Sequence, residues 1–191
     1  HATLASSRIL FDEYLGSDTR EIDFSSNSGL LQALKRGEQI FLDFPSDQPV
    51  EVDAKSTTVS LIEQIIGLDP VAVLKGRDDY MAVVGSEEQV LSVVPDIDLL
   101  EELPSRGLIV TSKGSKSDFV SRCFFPKLGE DPVTGSAHTV MTPYWAKELG
   151  KKSMIASQLS KRGGTLNCEL NGDRALIGGS SIRYLDGRLY L

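Results

Sequence analysis

The densest run of side chains able to do chemistry is Gly129-Glu130-Asp131-Pro132-Val133-Thr134-Gly135-Ser136-Ala137-His138. It supplies a carboxylate (Asp131), two hydroxyls (Thr134, Ser136) and an imidazole (His138). It stands directly before Ala137 to Leu149, an apolar stretch whose spacing predicts a buried helix closed by Gly150. The start of such a helix presents unpaired N–H groups and roughly half a positive charge. A carboxylate or phosphate can bind there without any basic side chain, and Gly135 lets a ligand approach the backbone closely. The plainer reading is a helix cap, because Asp, Thr and Ser are preferred capping residues worth ~1 kcal/mol. The length of the pattern D-P-x-T-G-S favours a functional site over a cap alone.

His1 opens a second apolar segment, residues 2–15, with Leu4, Ala5, Ile9, Leu10, Phe11, Tyr14 and Leu15 at mostly helical spacings and Gly16 as its stop. At that helix start its imidazole can donate to a ligand or shuttle a proton near neutral pH; otherwise it is a solvated terminus. The chain opens without Met and within an element, so residues upstream are expected. Other candidates carry less. Ser160-Lys161-Arg162-Gly163-Gly164-Thr165 lacks the spacing of a P-loop or dinucleotide fingerprint and reads as a turn with a tight backbone approach. Cys123 and Cys168 lie in strand patterns as small core residues. Tyr144 and Trp145 read as helix core, with a kink expected at Pro143. Arg77-Asp78-Asp79 and Glu87-Glu88 read as solvated surface.

The elements that must position these groups follow from periodicity and punctuation. Residues 21–24, 30–34 and 39–44 alternate between glycine turns and predict three short strands, with a Ser/Asn/Gly turn at 25–29. Pro45 to Pro49 breaks the sheet pattern. Val59 to Ile66 predicts a short helix, followed by strands near 70–75, 79–84, 107–112 and 117–125 and helices near 86–93 and 97–103. Strands follow at 154–158, 164–170 and 173–178, then a last one near 182–190. Without a βαβ rhythm, this pattern predicts an α+β fold with a mixed sheet. A shift of 135 superposes helix, turn, strand, turn and strand in order: Ala2 on Ala137, Gly29 on Gly164 (29+135=164), Gly37 on Gly172 (37+135=172) and Phe41-Leu42 on Leu176-Ile177. The repeat predicts two halves, residues 1–50 and 51–181, each a sheet curled around one apolar helix, with 182–191 returning to the first.

Composition sets outer limits. The 191 residues carry 20 Lys+Arg against 27 Asp+Glu, a net charge of −7, which gives no footprint for a nucleic-acid backbone. No apolar run reaches the ~18 residues of a membrane span, no leader opens the chain, and two cysteines lack disulfide-scaffold or metal spacing. A soluble cytoplasmic protein is expected.

Taken together, Gly129–His138, Pro143-Tyr144-Trp145, Gln158 to Gly164 and His1-Ala2-Thr3-Leu4-Ala5 resemble the phenazine-biosynthesis PhzF-like family. Asp43-Phe44-Pro45, Arg106-Gly107 before Ile109-Val110-Thr111, and Ser121-Arg122 before Phe124-Phe125-Pro126 add to the resemblance, which covers essentially the whole chain. It implies the diaminopimelate-epimerase-like fold, with the site in a cleft between two similar halves. It also implies a homodimer and an isomerase that moves a hydrogen on a small carboxylated metabolite by acid–base chemistry, without metal or organic cofactor. By the same resemblance His1, Asp131 and Ser136 are catalytic, and Thr134, Gly135 and Ser136 bind substrate through the helix start. The family's general acid/base glutamate is expected upstream of His1. Thr134 stands where related racemases carry a thiol, which disfavours two-cysteine racemisation. The alternative is a non-catalytic binding or interaction protein that keeps the fold.

Overall fold

The computed structural model describes residues 1–26 and 29–188. Helix α1 (Ala2–Ile9) runs on into one wider π-helical turn, Leu10–Tyr14. Strands β1 (Glu21–Ser26), β2 (Gly29–Arg36), β3 (Gln39–Pro45) and the two-residue β4 (Val50–Glu51) follow. Then come α2 (Thr57–Ile66), β5 (Ala72–Lys75), β6 (Asp79–Val83), α3 (Glu87–Ser92), α4 (Ile97–Glu102), β7 (Gly107–Lys113) and β8 (Phe119–Phe125). The chain continues through β9 (Gly129–Asp131), α5 (Gly135–Leu149), β10 (Ser153–Gln158), β11 (Gly164–Asn171) and β12 (Arg174–Ser180). Local chemistry sets the ends: the Ser56 hydroxyl accepts the Val59 N–H to cap α2.

Among the described residues these strands form one mixed sheet in the order β1-β2-β3-β12-β11-β10-β8-β7-β6-β5-β4, with β9 paired to β8. The expected offset is visible in the bounds. Adding 135 to Gly29–Arg36 gives Gly164–Asn171, and adding it to Gln39–Pro45 gives Arg174–Ser180. The hairpin glycines Gly37 and Gly172 sit at φ 60° and 61°, a left-handed conformation that side-chain-bearing residues adopt at a cost. Strands β3 and β12 pair antiparallel, and in their register Leu42 faces Ile177, its own counterpart (42+135=177).

Helix α5 is the hub of the larger core. Its Ala137, Val140, Met141, Trp145 and Ala146 pack with Met81, Ile109, Phe119, Cys123, Met154, Ala156, Leu166 and Ile177 from the strands around it. Burying a side chain such as Met141 is worth ~1.5–3 kcal/mol. Trp145 stacks on Phe119, centroids 5.8 Å apart, and its indole N–H donates to Thr111 Oγ1 at 3.0 Å. The strands alternate as a two-faced sheet must: along β8, Phe119 and Cys123 face α5, whereas Val120 and Phe124 join a second core with α2, α3 and α4.

Two expectations change. Among the described residues helix α1 buries only Ser7, and its π-turn only Phe11; it packs chiefly on β2 and β3 over a small core of Phe11, Ala33, Ile40 and Leu42. The strand expected from 182 does not form over 182–188, where the chain is exposed and without regular secondary structure; Arg183 nevertheless reaches back to Glu13 beside α1. Positions 189–191, like 27 and 28 in the first turn, lie outside the described residues. Strand β4, Val50–Glu51, pairs with β5 and runs across the expected boundary between residues 50 and 51.

Candidate active site

The turn between β9 and α5 is held by a closed set of hydrogen bonds. Thr134 Oγ1 donates to Asp131 Oδ2 at 2.5 Å. The Gln158 side chain accepts the Thr134 N–H at 2.7 Å and donates to the Asp131 carbonyl at 2.7 Å and to Thr134 Oγ1 at 3.2 Å. Gln158 and Thr134 are buried; Asp131 is half-buried at the end of β9, opposite Cys123 of β8. The neighbouring Gly-rich turn closes the arrangement. Ser160 Oγ donates to the Pro132 carbonyl at 2.7 Å, and a Cβ on Gly164 would lie 2.2 Å from Val133 Cγ2. The tight backbone approach expected at 160–165 is therefore made against the site motif itself.

These bonds leave the start of α5 without a side-chain cap. Thr134 occupies the N-cap of α5, yet its side chain makes no capping bond; its hydroxyl is turned to Asp131. Among the described residues no side chain accepts from the N–H groups of Gly135 or Ser136. Ser136 is exposed and lines a cleft of about 150 Å³ with Phe44, Asp47, Asp79, Arg106 and Thr139. The helix start thus has no side-chain acceptor, and the helix dipole favours an anion at such an end.

Pro143 shapes the same cleft. Helix α5 continues through it unbroken, but without an N–H it leaves the Thr139 carbonyl free. That carbonyl accepts the Asp47 N–H at 3.1 Å, and Asp47 Oδ2 accepts the Arg77 N–H at 2.8 Å. A proline just over two turns into the helix thereby anchors both the segment after β3 and the β5–β6 turn.

The remaining candidates separate. His1 is exposed at the start of α1, its side chain makes no capping bond, and no hydrogen bond or ion pair joins it to residues 131–136. His138 is fully buried, with Nδ1 2.7 Å from the Thr134 carbonyl and Nε2 unpartnered; burial drives its pKa down to about 4, so it is a neutral core residue. Glu130 points to the opposite face and pairs with Arg122, Oε1 to Nε 2.6 Å. Burial pushes the thiol of Cys123 far up and that of Cys168 to about 12, so neither is a ready thiolate. Asp79, expected on the surface, is 1% exposed and paired with Arg106, whose own pKa it raises; Arg77 and Asp78 are exposed as expected. Among the described residues no group of three or more His, Cys, Asp or Glu is placed to hold a metal ion, and no helix is long and apolar enough to cross a membrane.

Two further residues, Gln158 and Asp79, were given no place at the site by the sequence: Gln158 stood only in the stretch that carries the family resemblance, and Asp79 read as surface. Gln158 carries a signal: in β10 the inward positions are Met154, Ala156 and Gln158, a polar residue ending an apolar alternation. Asp79 carries none, because its partner lies 27 residues away.

Relatives share this architecture. An uncharacterized isomerase of Pseudomonas aeruginosa is 46% identical over 193 residues, spanning 100% of this chain and 72% of its own. A crystal structure of a phenazine biosynthesis protein of the PhzF family from Enterococcus faecalis superposes with a TM-score of 0.91 at 40% identity, covering 100% of this chain and 72% of that one. A predicted epimerase of Pseudomonas aeruginosa, at 15% identity and a TM-score of 0.62, covers 94% of this chain and 70% of its own and shares the fold alone. The family described as phenazine biosynthesis-like protein matches residues 1–187. With the α+β fold wrapped around α5 and the D-P-x-T-G-S turn at its start, the chain belongs to the phenazine biosynthesis-like protein family.

Proposed function

We propose that this chain carries the site of an isomerase that moves a hydrogen within a small carboxylated metabolite by acid–base chemistry. One observation carries the reading: the uncapped start of α5, with the Gly135 and Ser136 N–H groups beside a carboxylate, Asp131, held by Thr134. In this reading the two N–H groups and the Ser136 hydroxyl take the substrate carboxylate. Asp131 exchanges the proton through its oxygen not bonded to Thr134. His1, at the start of α1, assists from the other half of the fold. A positioned acid or base contributes roughly 10²–10⁴-fold. The isomerase names of close relatives support the reaction class. The reading includes a homodimer and needs no metal or organic cofactor.

The test is solvent exchange. The protein is incubated in deuterium oxide with a panel of small hydroxy- and amino-carboxylates and followed by NMR. Deuterium entering a carbon position, with loss of that activity in Asp131→Asn and an unchanged fold, supports the reading. Exchange that survives Asp131→Asn removes Asp131 from the mechanism. Saturable binding without exchange favours the non-catalytic alternative.

A further inference from the structure

The Asp79–Arg106 pair is unlike the other ion pairs in its placement. Asp79 is buried, 1% exposed, at the start of β6, while Arg106 is 43% exposed. Asp79 accepts from Nε at 3.0 Å and from Nη2, which fixes the guanidinium plane with two bonds on one edge. The ring of Phe125 lies 5.6 Å beneath, and the Arg106 N–H is tied to the Asp78 carbonyl at 2.9 Å. Nη1 has no hydrogen-bond partner among the described residues, and the side chain lines the cleft that Ser136 lines.

A carboxylate with so little exposure is costly unless paired. The arrangement makes sense if Asp79 serves Arg106, holding an otherwise mobile side chain in one orientation. A guanidinium bonded on one edge keeps further N–H groups for a second acceptor in its plane, the geometry that suits the two oxygens of a carboxylate. Asp47 and Asp78 line the same cleft and repel a bare negative charge, so a partner is favoured only where it can take directed N–H···O bonds.

We propose that Arg106 is a specificity-determining residue of this site, selecting substrates by a carboxylate that it docks against the start of α5, with Asp79 as its positioning residue. The inference rests on the proposed function for the carboxylate at the helix start, and adds the side chain that recognises it.

The test uses benzoate and glutarate as probes, titrated into the 15N-labelled chain while the Arg106 Nε–H and the Gly135 and Ser136 amide signals are followed. Saturable shifts of all three signals with one shared Kd are expected. Arg106→Lys keeps a cation beside Asp79 and is expected to weaken binding roughly tenfold by losing the planar fork. Lys116→Gln, on the exposed turn between β7 and β8 and outside the cleft lining, is expected to change Kd less than twofold. Shifts confined to Gly135 and Ser136 overturn the role of Arg106 and leave the helix-start reading standing. Shifts at Arg106 alone overturn the shared docking and the helix-start reading together, and no shift at any of the three overturns both. The wild-type titration decides the matter even if Arg106→Lys does not fold.

Discussion

Gln158 and Thr134 share two hydrogen bonds, N–H to Oε1 at 2.7 Å and Nε2 to Oγ1 at 3.2 Å, and the same amide reaches the Asp131 carbonyl. A side chain from β10 thus does for this turn what a neighbouring strand does for a ladder. Replacing it by the apolar Gln158→Leu leaves a buried N–H and a carbonyl unpaired, at about 1–3 kcal/mol each. Urea unfolding is expected to show a loss of about 2–5 kcal/mol. Gln158→Glu still accepts from Thr134 but sets a buried carboxylate oxygen against the Asp131 carbonyl, and is expected to cost at least as much.

Thr134→Val keeps the shape of residue 134 and removes the hydroxyl that holds Asp131 Oδ2. A loosened catalytic group costs on the order of 10²-fold in rate. The exchange assay is expected to show a drop of that size, with far-UV circular dichroism unchanged. Full activity would mean that the 2.5 Å bond to Asp131 has no catalytic role.

His138 gives the fold a pH dependence of known sign. Its folded pKa, lowered to about 4 by burial, lies below the ordinary value near 6.5. Between these values the unfolded chain binds the extra proton, so stability rises with pH across that window and is level above it. Its contribution lost on going from pH 7 to pH 4 is on the order of a few kcal/mol. Denaturant midpoints at pH 7, 5.5 and 4, compared between the native chain and His138→Gln, are expected to converge as pH falls. Parallel pH profiles would show that His138 is already accessible to protons.

Gly164 and Val133 are expected to be strongly coupled. A Cβ at 164 meets Val133 Cγ2 at 2.2 Å, so Gly164→Ala is expected to cost ~1–3 kcal/mol. In the Val133→Ala background most of that cost is expected to vanish. A double-mutant cycle reads the coupling directly; additive effects would mean that the Gly-rich turn does not support the motif.

The sequence discloses the elements better than their surroundings. Glycine stops and alternation locate α2, α5 and the hairpins closely, because backbone chemistry at Gly37, Gly67 and Gly150 is local. Exposure is not local. Residues 2–15 carry an apolar pattern, yet among the described residues only Ser7 and Phe11 of that stretch are buried. Asp79 shows the same limit, paired with Arg106, which stands just before β7. Within the motif, Asp131, Thr134, Gly135 and Ser136 were legible as a group. Whether they cap the helix or leave it open was decided by Gln158, 24 residues away.

The pairing of Leu42 with Ile177 gives the sheet a local symmetry. The β3–β12 ladder runs antiparallel away from that pair in both directions, each residue meeting the counterpart of one on the other side. Two identical strands meet in this way across an isologous interface. A change of side-chain volume on one strand near that pair is therefore felt at the matching position of the other.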